Sequence, residues 1–366
     1  MSTWQTYPAD YRAKEVQAIL PATRAGECVS VVGLSGAGKS NLLGFLAHRP
    51  ADPAHLLHLV DCNRLLEHSP TAFLRLVRRT LGDNEPLPGN PDALAELETL
   101  ERVIGRILNP PGSQPITQLT LLFDRFDRFT GPELAAQNQA VFNCLRALRD
   151  SYKFQLTYVI ATRRPLAVEN ELAELFHAHT IWLGPLSESD ARWNVARYAG
   201  RKGVHWDESV VRQLIAFSGG YPSFLRAACE AYSAEADLNQ LLDQPAVQAR
   251  IEEFWRDEPT DHHLVQSGLA TLSILKSARG PAVPDEQLTA KEQMLLDYFK
   301  THPDTVCEKD ELIQAIWPED AIFEQGVRDS SLAQLVRRLR VKIEPDPADP
   351  RFIQTIPGRG YLFKTG

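Results

Sequence analysis

The chain has 366 residues and lacks the features that mark membrane-spanning, secreted and disulfide-bonded proteins. No apolar run approaches the ~20 residues that a transmembrane helix needs. No basic segment followed by an apolar one stands at the N-terminus, so we expect no signal peptide. The five cysteines are scattered and form no Cys-x-x-Cys pair, which argues against a disulfide framework or a zinc site. We therefore expect a cytoplasmic protein with no membrane partner.

The chain also lacks an excess of positive charge. Its 39 Lys and Arg residues are outnumbered by 47 Asp and Glu, which gives a formal net charge of −8. This balance argues against a protein that binds polyanions over its whole surface, but it leaves room for a local basic face. With 43% hydrophobic and 23% charged residues, the composition is that of a globular protein large enough for two or three domains.

The most informative segment is Gly33–Ser40, which reads Gly-Leu-Ser-Gly-Ala-Gly-Lys-Ser. It follows the apolar run Cys28–Val32 and precedes the helix-forming stretch Asn41–His48, which is the setting of a phosphate-binding loop. The glycines allow backbone N–H groups to surround the phosphates, while Lys39 supplies a cation and the Ser40 hydroxyl a ligand for Mg²⁺. The alternative is a chance match in a glycine-containing turn. The residues predicted to contact ATP or ADP are Gly33, Ser35, Gly36, Ala37, Gly38, Lys39, Ser40 and Asn41.

The pattern around this loop predicts an α/β P-loop fold, with a parallel sheet covered by helices on both faces. The predicted strands are Cys28–Val32, Leu56–Val60, Leu119–Phe123, Gln155–Ile160 and Thr180–Leu183. The helices predicted between them lie near Lys14–Leu20, Ser40–Ala47, Pro70–Leu81, Pro91–Leu108, Pro132–Ser151 and Pro165–Ala178, and further helices are predicted over Pro245–Trp255 and Thr260–Lys276. From Ser187 onward only helical patterns follow, until Arg279–Asp285, where prolines and a glycine predict a linker. We expect an ATPase core over 1–185, a helical lid with connecting helices over 186–280, and a third domain over 281–366.

Two strand ends carry candidate catalytic residues. Asp124 ends an apolar strand, where it is placed to complete with Ser40 the ligands for Mg²⁺. Arg125 follows it, where many hydrolysing relatives have a glutamate that orients water. Asp127 is the nearest other acid that could orient the attacking water. The alternative is a surface turn, which would have the same sequence. The sequence thus predicts ATP binding and leaves open whether the protein hydrolyses ATP slowly.

Arg163 and Arg164 follow the strand predicted to end at Ile160. A cation at this edge of the sheet is placed to contact the γ-phosphate and to report its presence. The alternative is a pair of solvated arginines at the start of a helix.

These motifs together resemble the STAND branch of AAA+-related ATPases over roughly Tyr11 to Lys276. The resemblance rests on the phosphate loop, the strand with Asp124, the pair Thr162-Arg163 and the lid motif Gly220-Tyr221-Pro222. It implies that Pro222 lies near the adenine and that Arg12, in an element where Tyr11 replaces the family's glycine, belongs to the nucleotide site. A similarity to origin-recognition-type AAA+ proteins implies that Arg226 acts as a second sensor.

The C-terminal segment predicts a winged helix, with three helices followed by a hairpin over Phe352–Phe363. The third helix, Ser330–Glu344, has an apolar stripe and an opposite polar face. Arg359 lies at the predicted turn of the hairpin. Such a helix enters the major groove of DNA and such a hairpin reaches the minor groove or the backbone. The alternative is an amphipathic helix with a merely solvated polar face.

The amino-acid sequence of Gln287–Phe363 resembles the effector domain of OmpR/PhoB-type response regulators. The segments that carry the resemblance include Leu288-Thr-Ala-Lys-Glu and Ile356-Pro-Gly-Arg-Gly-Tyr-Leu-Phe. The resemblance implies binding to double-stranded DNA. The start of the third helix, Asp329-Ser-Ser-Leu, departs from the family, so the target sequence does not carry over. No receiver domain precedes the segment, and the ATPase stands in its place. The implied DNA-facing residues are Ser331, Gln334, Arg337, Arg338 and Arg359.

The sequence as a whole favours an ATP-switched, DNA-binding transcription regulator, with homo-oligomerisation on ATP binding as a further expectation. A second hypothesis is a DNA-remodelling or DNA-loading ATPase of replication, transposition or phage defence. A third is a signalling ATPase whose winged helix binds protein and not DNA.

Overall fold

The computed structural model describes residues 3–49, 52–65, 67, 69–89, 91–112, 114–130, 135–166, 171–257, 259–278, 288–317, 325–344 and 350–364. The chain divides into two compact units, Met1–Ile274 and Leu275–Gly366, which are described separately. The predicted linker Arg279–Asp285 lies outside the described residues. No helix in the described part of the chain is long and apolar enough to cross a membrane.

The first unit is built on a five-stranded parallel sheet with strand order β2-β3-β4-β1-β5. All five predicted strands are confirmed, with ends that differ by one or two residues. The strands are β1 (Val29–Val32), β2 (His55–Asp61), β3 (Gln118–Asp124), β4 (Leu156–Thr162) and β5 (Thr180–Trp182).

The central strands are mostly apolar and buried along their whole length because helices cover both faces of the sheet. Every residue of β1, β3 and β4 is buried. Three polar side chains on neighbouring strands satisfy one another inside the sheet. The Thr120 and Thr157 hydroxyls lie 2.7 Å apart, and the His55 ring nitrogen Nε2 lies 2.8 Å from the Thr120 hydroxyl.

The helices of the core alternate with the strands, as the sequence predicts. They are α1 (Ala13–Arg24), α2 (Lys39–His48), α3 (Pro70–Thr80), α4 (Ala93–Leu108), the short α5 (Asp127–Thr130) and α6 (Ala135–Tyr152). Short 3₁₀ helices stand at Thr3–Thr6, Cys62–Arg64, Lys153–Gln155 and Glu171–Phe176. The proline-led start predicted for α6 at Pro132 lies outside the described residues.

The α-helix predicted over Pro165–Ala178 is wrong in its described part, which forms only the 3₁₀ helix Glu171–Phe176. The side chains of Leu172, Ala173 and Phe176 are buried, and the chain enters β5 four residues after Phe176. The turn between them is closed by a hydrogen bond from the His179 amide to the Phe176 carbonyl (3.3 Å). Helical structure thus ends at Phe176, where the chain turns into β5.

Helices alone follow the sheet. They are α7 (Glu188–Lys202), α8 (Glu208–Ser218), α9 (Pro222–Ser233), a 3₁₀ segment (Leu238–Asp243), α10 (Pro245–Trp255), α11 (Asp261–Gln266) and α12 (Ser273–Ala278). We call α7–α10 the helical bundle. The single helix predicted over Thr260–Lys276 is wrong: Gly268, with φ of 67°, adopts a left-handed conformation that ends α11 and separates it from α12.

The second unit is a winged helix, as the sequence predicts. It contains α13 (Ala290–Thr301), β6 (Val306–Glu308), α14 (Lys309–Ile316), α15 (Gln325–Ile343), β7 (Ile353–Ile356) and β8 (Gly360–Phe363). The antiparallel sheet has the order β6-β8-β7. The sequence did not predict β6, because three residues are too few for a strand pattern. The third helix begins at Gln325 and not at Ser330.

Candidate functional site

The loop Gly33–Ser40 continues from the carboxyl end of β1 to the first turn of α2. The Gly33 amide donates to the Thr162 carbonyl on β4 (3.0 Å), which fixes the base of the loop to the sheet. Gly36 and Gly38 have φ of 78° and 88°, a region that residues with a Cβ rarely adopt. A Cβ on Gly36 would also collide with the Ser223 side chain. The loop therefore depends on both glycines.

A cavity of about 640 Å³ opens at this edge of the sheet. It brings together most of the residues that the sequence assigns to the nucleotide site. These are Ser35, Gly36, Ala37, Gly38, Lys39, Ser40, Asn41, Asp124, Asp127, Arg163 and Pro222. Gly33 lies beneath the loop, where its carbonyl accepts a hydrogen bond from Lys39 Nζ.

Lys39 extends across its own loop. Its Nζ donates to the Gly33 carbonyl and lies 3.4 Å from the Leu34 carbonyl. Burial lowers the pKa of Lys39, and the carboxylates of Asp127, Asp257 and Asp124 oppose this shift. A phosphate group beside this ammonium would add the negative charge that favours its protonated form.

Asp124 lies at the carboxyl end of β3 with 6% of its surface exposed. Burial raises its pKa, and a hydrogen bond from the Ser40 side chain, followed by the charge of Arg125, opposes the shift. The Arg125 amide donates to Asp124 Oδ1 (3.0 Å). A hydroxyl and a carboxylate oxygen thus stand side by side in a site that disfavours an unneutralised carboxylate, and these are ligands that Mg²⁺ accepts.

The protein offers few other ligands there. No cluster of three or more His, Cys, Asp or Glu side chains able to hold a metal occurs in the part of the chain that the structure describes. This fits Mg²⁺, which keeps several waters and binds through one or two protein ligands together with phosphate oxygens.

Asp127 begins α5, two residues after Arg125, whose backbone is left-handed with φ of 55°. Its Oδ1 accepts a hydrogen bond from the Arg163 amide. Burial raises the pKa of Asp127, and this hydrogen bond and the nearby Lys39 oppose the shift. The carboxylate is therefore held between the phosphate loop and the end of β4.

Arg163 projects from the end of β4 and makes an ion pair with Asp257, which lies just beyond α10. The distance from Arg163 NH1 to Asp257 Oδ1 is 2.8 Å. Arg164 does not line the cavity, and its NH2 donates to the main-chain carbonyl of Asp257 (2.7 Å). Only the first of the two arginines thus faces the space where a phosphate would lie.

The helical bundle closes one side of the cavity. Pro222 begins α9 and lies 3.5 Å from the position that a Cβ on Gly38 would take. The Tyr221 hydroxyl donates to the Ser35 carbonyl (2.7 Å). The motif Gly220-Tyr221-Pro222 therefore contacts the phosphate loop directly.

Arg12 lies outside the lining of this cavity. Its side chain is buried, and its NH2 donates to the Ala37 carbonyl of the loop (3.0 Å). Its NH1 donates to the Gly184 and Pro185 carbonyls (3.0 and 3.1 Å). The backbone amide of Arg12 donates to Asp190 on α7 (3.1 Å). The structure thus places Arg12 behind the loop, between the sheet and the helical bundle.

A smaller cavity of about 200 Å³ lies on the other side of Pro222 and shares Asn41, Pro222 and Arg226 with the larger one. Its wall includes the rings of Trp4 and Tyr7. It is narrow and partly aromatic, whereas the larger cavity is lined mainly by polar groups.

The winged helix presents a separate polar surface. Gln334, Arg337 and Arg338 are exposed on one face of α15, and Ser331 is half-buried at the edge of that face. The side chains at 325–330, including the predicted start Asp329-Ser330, lie outside the described residues. The opposite face of α15 is buried through Leu332, Leu335, Val336, Leu339 and Ile343.

The hairpin is fixed to this helix by Arg340, which donates to the Ile353 carbonyl (2.6 and 3.0 Å) and to the Thr355 hydroxyl (2.8 Å). Arg359 is exposed at the turn between β7 and β8 and pairs with Glu308 (2.6 Å). The structure therefore places the predicted DNA-facing side chains on α15 and on the hairpin tip of one unit.

Comparison with known proteins gives two family matches. The model of Novel STAND NTPase 1 matches residues 11–269, which is more than half of the chain. The model of the transcriptional regulatory protein C-terminal domain matches residues 284–363. The chain belongs to the novel STAND NTPase 1 family.

Curated relatives of this STAND NTPase match about a fifth of its length. Protein PetR of Rhodobacter capsulatus is 39% identical over 77 residues, which are 21% of this chain and 32% of PetR. The phosphate regulon transcriptional regulatory protein PhoB of Escherichia coli is 36% identical over 74 residues, 20% of this chain and 30% of PhoB. The match thus spans about a third of these relatives.

Among solved structures, a Walker-type ATPase of Pyrococcus abyssi superposes with a TM-score of 0.45 at 12% identity. The superposition covers 98% of this chain and 96% of that one.

Several side chains of the STAND NTPase reach the cavity without a local sequence motif. Asn63, Arg128, Ser223, Arg250 and Glu253 line it, and Asp257 binds the loop beside it. The bundle residues among them stand nearly 200 positions or more from the loop, so no spacing within a motif could have indicated them. The charged residues in and just after α10 are a weak signal of a polar site, and they do not single out Asp257.

Proposed function

We propose that this STAND NTPase is an ATP-switched transcription regulator. The observation that carries the proposal is the convergence of the phosphate loop, Asp124 and Arg163 in one cavity, on a chain that also contains a winged helix with an exposed cationic helix face. In this proposal ATP with Mg²⁺ occupies the larger cavity, and double-stranded DNA binds α15 and the hairpin. Residues 186–280 act as the lid of the nucleotide site.

The charge of the larger cavity favours a polyphosphate. Six cationic side chains line it against three carboxylates. The cations are Lys39, Arg125, Arg128, Arg163, Arg226 and Arg250. In a partly buried site such charges bind phosphate oxygens more strongly than on an open surface.

Mg²⁺ would be held by Ser40 and Asp124, and when bound it supplies positive charge between the terminal phosphates. The nucleoside is assigned to the smaller cavity, since it shares the lining residues Asn41 and Pro222 with the larger one. The aromatic rings of Trp4 and Tyr7 there suit stacking on a base.

Slow hydrolysis of ATP is part of the proposal. Arg125 follows Asp124 and cannot accept a proton from water, so Asp127 is the candidate base. Its carboxylate is already engaged by the Arg163 amide, which leaves one oxygen for a water molecule. A slow ATPase would act as a timer of the bound state.

Binding to DNA is assigned to the exposed face of α15 in the major groove, with Arg359 at the backbone or the minor groove. Arginine suits guanine and glutamine suits adenine in the major groove. The family model of the transcriptional regulatory protein C-terminal domain matches this part of the chain, and this supports the assignment. We also propose that ATP binding promotes homo-oligomerisation, which would bring winged helices to paired half-sites.

The test is retention of fragmented genomic DNA by the purified protein, with a non-hydrolysable ATP analogue and separately with ADP, followed by sequencing. The proposal predicts a few sharp sites favoured by one nucleotide. Broad retention without sequence preference would contradict it and favour a DNA-loading ATPase. Absence of retention in both states would favour a signalling ATPase with a protein partner.

A further inference from the structure

We propose that Asp257 determines the specificity of the nucleotide site, because its carboxylate occupies the Ser35 amide and the Arg163 guanidinium, which would otherwise bind a terminal phosphate. Nucleoside diphosphate is then favoured over triphosphate until the Asp257 carboxylate leaves these two donors. The inference rests on the proposed nucleotide site and assigns to it a residue that discriminates between its ligands.

The Asp257 carboxylate is bound as a phosphate would be. Its Oδ2 accepts a hydrogen bond from the Ser35 amide in the phosphate loop (2.9 Å). Its Oδ1 accepts one from Arg163 NH1 (2.8 Å). A backbone N–H of a phosphate loop and an arginine at the end of a strand are donors that bind phosphate oxygens in such sites.

The carboxylate is well sheltered, although its arginine partner is not. The Asp257 side chain is 8% exposed, while that of Arg163 is 53% exposed. Arg163 can therefore rotate toward another anion more easily than the sheltered carboxylate can leave. An incoming anion must therefore displace the carboxylate from both the Ser35 amide and Arg163.

Other contacts hold the Asp257 segment against the loop without its carboxylate. Arg164 donates to the main-chain carbonyl of Asp257 (2.7 Å). Glu253, one turn earlier, accepts a hydrogen bond from the Ser35 hydroxyl (3.2 Å). A change of the Asp257 side chain alone should therefore leave the end of α10 in place.

The position of the carboxylate explains why the effect should depend on the terminal phosphate. Asp257, like Asp127 and Asp124, opposes the lowering of the Lys39 pKa by burial. Its negative charge therefore acts on the region where the last phosphates would lie. Asp257 contacts the loop at the Ser35 amide, while the amides of Gly38, Lys39 and Ser40 lead into α2. Those amides remain available to the other phosphates, so a diphosphate meets no competition from Asp257.

The experiment uses the full chain and compares the wild type with Asp257→Asn, which keeps the shape and removes the charge. Titrations with a fluorescent ADP and with a fluorescent non-hydrolysable ATP analogue give the ratio of the two affinities. We expect Asp257→Asn to shift this ratio toward the triphosphate by about tenfold or more, the range of a charged hydrogen bond. Affinity for ADP should change less than twofold.

Glu252→Gln is the matched control, because it removes one charge from an exposed position on α10, the helix that precedes Asp257. Its ratio should equal that of the wild type, which separates a local contact from a general change of charge. In an Arg163→Ala background, Asp257→Asn should shift the ratio less than in the wild type. If Asp257→Asn melts early, Asp257→Ser provides the same comparison.

An unchanged ratio in Asp257→Asn and Asp257→Ser would overturn the inference while leaving the nucleotide site intact. A wild type that binds neither nucleotide, or a Lys39→Ala variant that binds both as the wild type does, would instead overturn the proposed nucleotide site itself. The two failures are therefore distinguishable in one set of titrations.

Discussion

The hydroxyl of Tyr221 donates a 2.7 Å hydrogen bond to the carbonyl oxygen of Ser35. The amide and the hydroxyl of the same serine bind Asp257 and Glu253. All three polar groups of one phosphate-loop residue are thus held by side chains of the helical bundle or of the segment just beyond it. In the proposed nucleotide site, a phosphate that reorganises Ser35 must also move these contacts, so we expect this residue to couple the nucleotide state to the position of the bundle.

Removal of the Tyr221 hydroxyl should weaken this coupling. Tyr221 is fully buried, so Tyr221→Phe leaves the Ser35 carbonyl without its partner. We expect the free energy of unfolding to fall by about 1–2 kcal/mol, measured by urea denaturation. Tyr232→Phe on the same helix is the control, since its hydroxyl makes no hydrogen bond among the described residues, and an equal loss there would contradict the assignment.

Lys39→Ala should abolish useful nucleotide binding. The ammonium is the cation placed closest to the loop carbonyls, and loss of charged hydrogen bonds of about 3 kcal/mol corresponds to roughly 100-fold in affinity. Calorimetric titration with an ATP analogue measures it. The exposed Lys202→Ala on α7 should bind as the wild type does, and retention of full affinity by Lys39→Ala would refute the placement of the phosphates.

Asp124→Asn should stabilise the nucleotide-free protein while it removes Mg²⁺ dependence. Because burial raises the pKa of Asp124 in the folded state, the folded protein binds more protons than the unfolded chain between the unfolded and the folded pKa. Stability contributed by this group therefore falls as pH rises through that window. The variant, which cannot ionise, should be more stable than the wild type at neutral pH.

The measurement is urea denaturation over a pH series without nucleotide or Mg²⁺. The advantage of Asp124→Asn should shrink as pH falls and the wild-type carboxyl becomes protonated. An advantage that is constant with pH would show that the charge of Asp124 is not its cause.

Arg337→Ala combined with Arg338→Ala should weaken DNA binding. Both side chains are exposed on α15, and each phosphate contact contributes about 0.9 to the slope of log affinity against log salt concentration. We expect the double variant to lose up to about two such increments in titrations at several salt concentrations. Lys300→Ala on α13, also exposed, should leave the slope unchanged, and an unaltered slope in the double variant would remove α15 from the interface.

The sequence predicted the sheet and the loop well because both depend on local patterns. Buried strands are mostly apolar, and the glycines of Gly33–Ser40 specify one backbone conformation. The helix expected over Thr260–Lys276 failed for an equally local reason, since the pattern did not weigh the left-handed turn at Gly268.

The parts of the site that the sequence could not predict come from distant elements. Asp257 stands 222 residues after Ser35, and Arg12 reaches the loop carbonyl of Ala37 from a position 25 residues before it. No spacing rule links such pairs, because the sheet and the helical bundle bring them together only in the folded chain. The family resemblance predicted that Arg12 belongs to the nucleotide site. The structure shows which groups its guanidinium contacts.

The central claim is that the nucleotide state sets the affinity for DNA. The most direct test measures the dissociation constant of the full chain for one retained genomic fragment at fixed salt, with the ATP analogue and with ADP, in the wild type and in Lys39→Ala. The account predicts that the wild type differs by about tenfold or more between the two nucleotides, a coupling of about 1.4 kcal/mol, and that Lys39→Ala shows no difference. Equal affinities of the wild type in both states would contradict it.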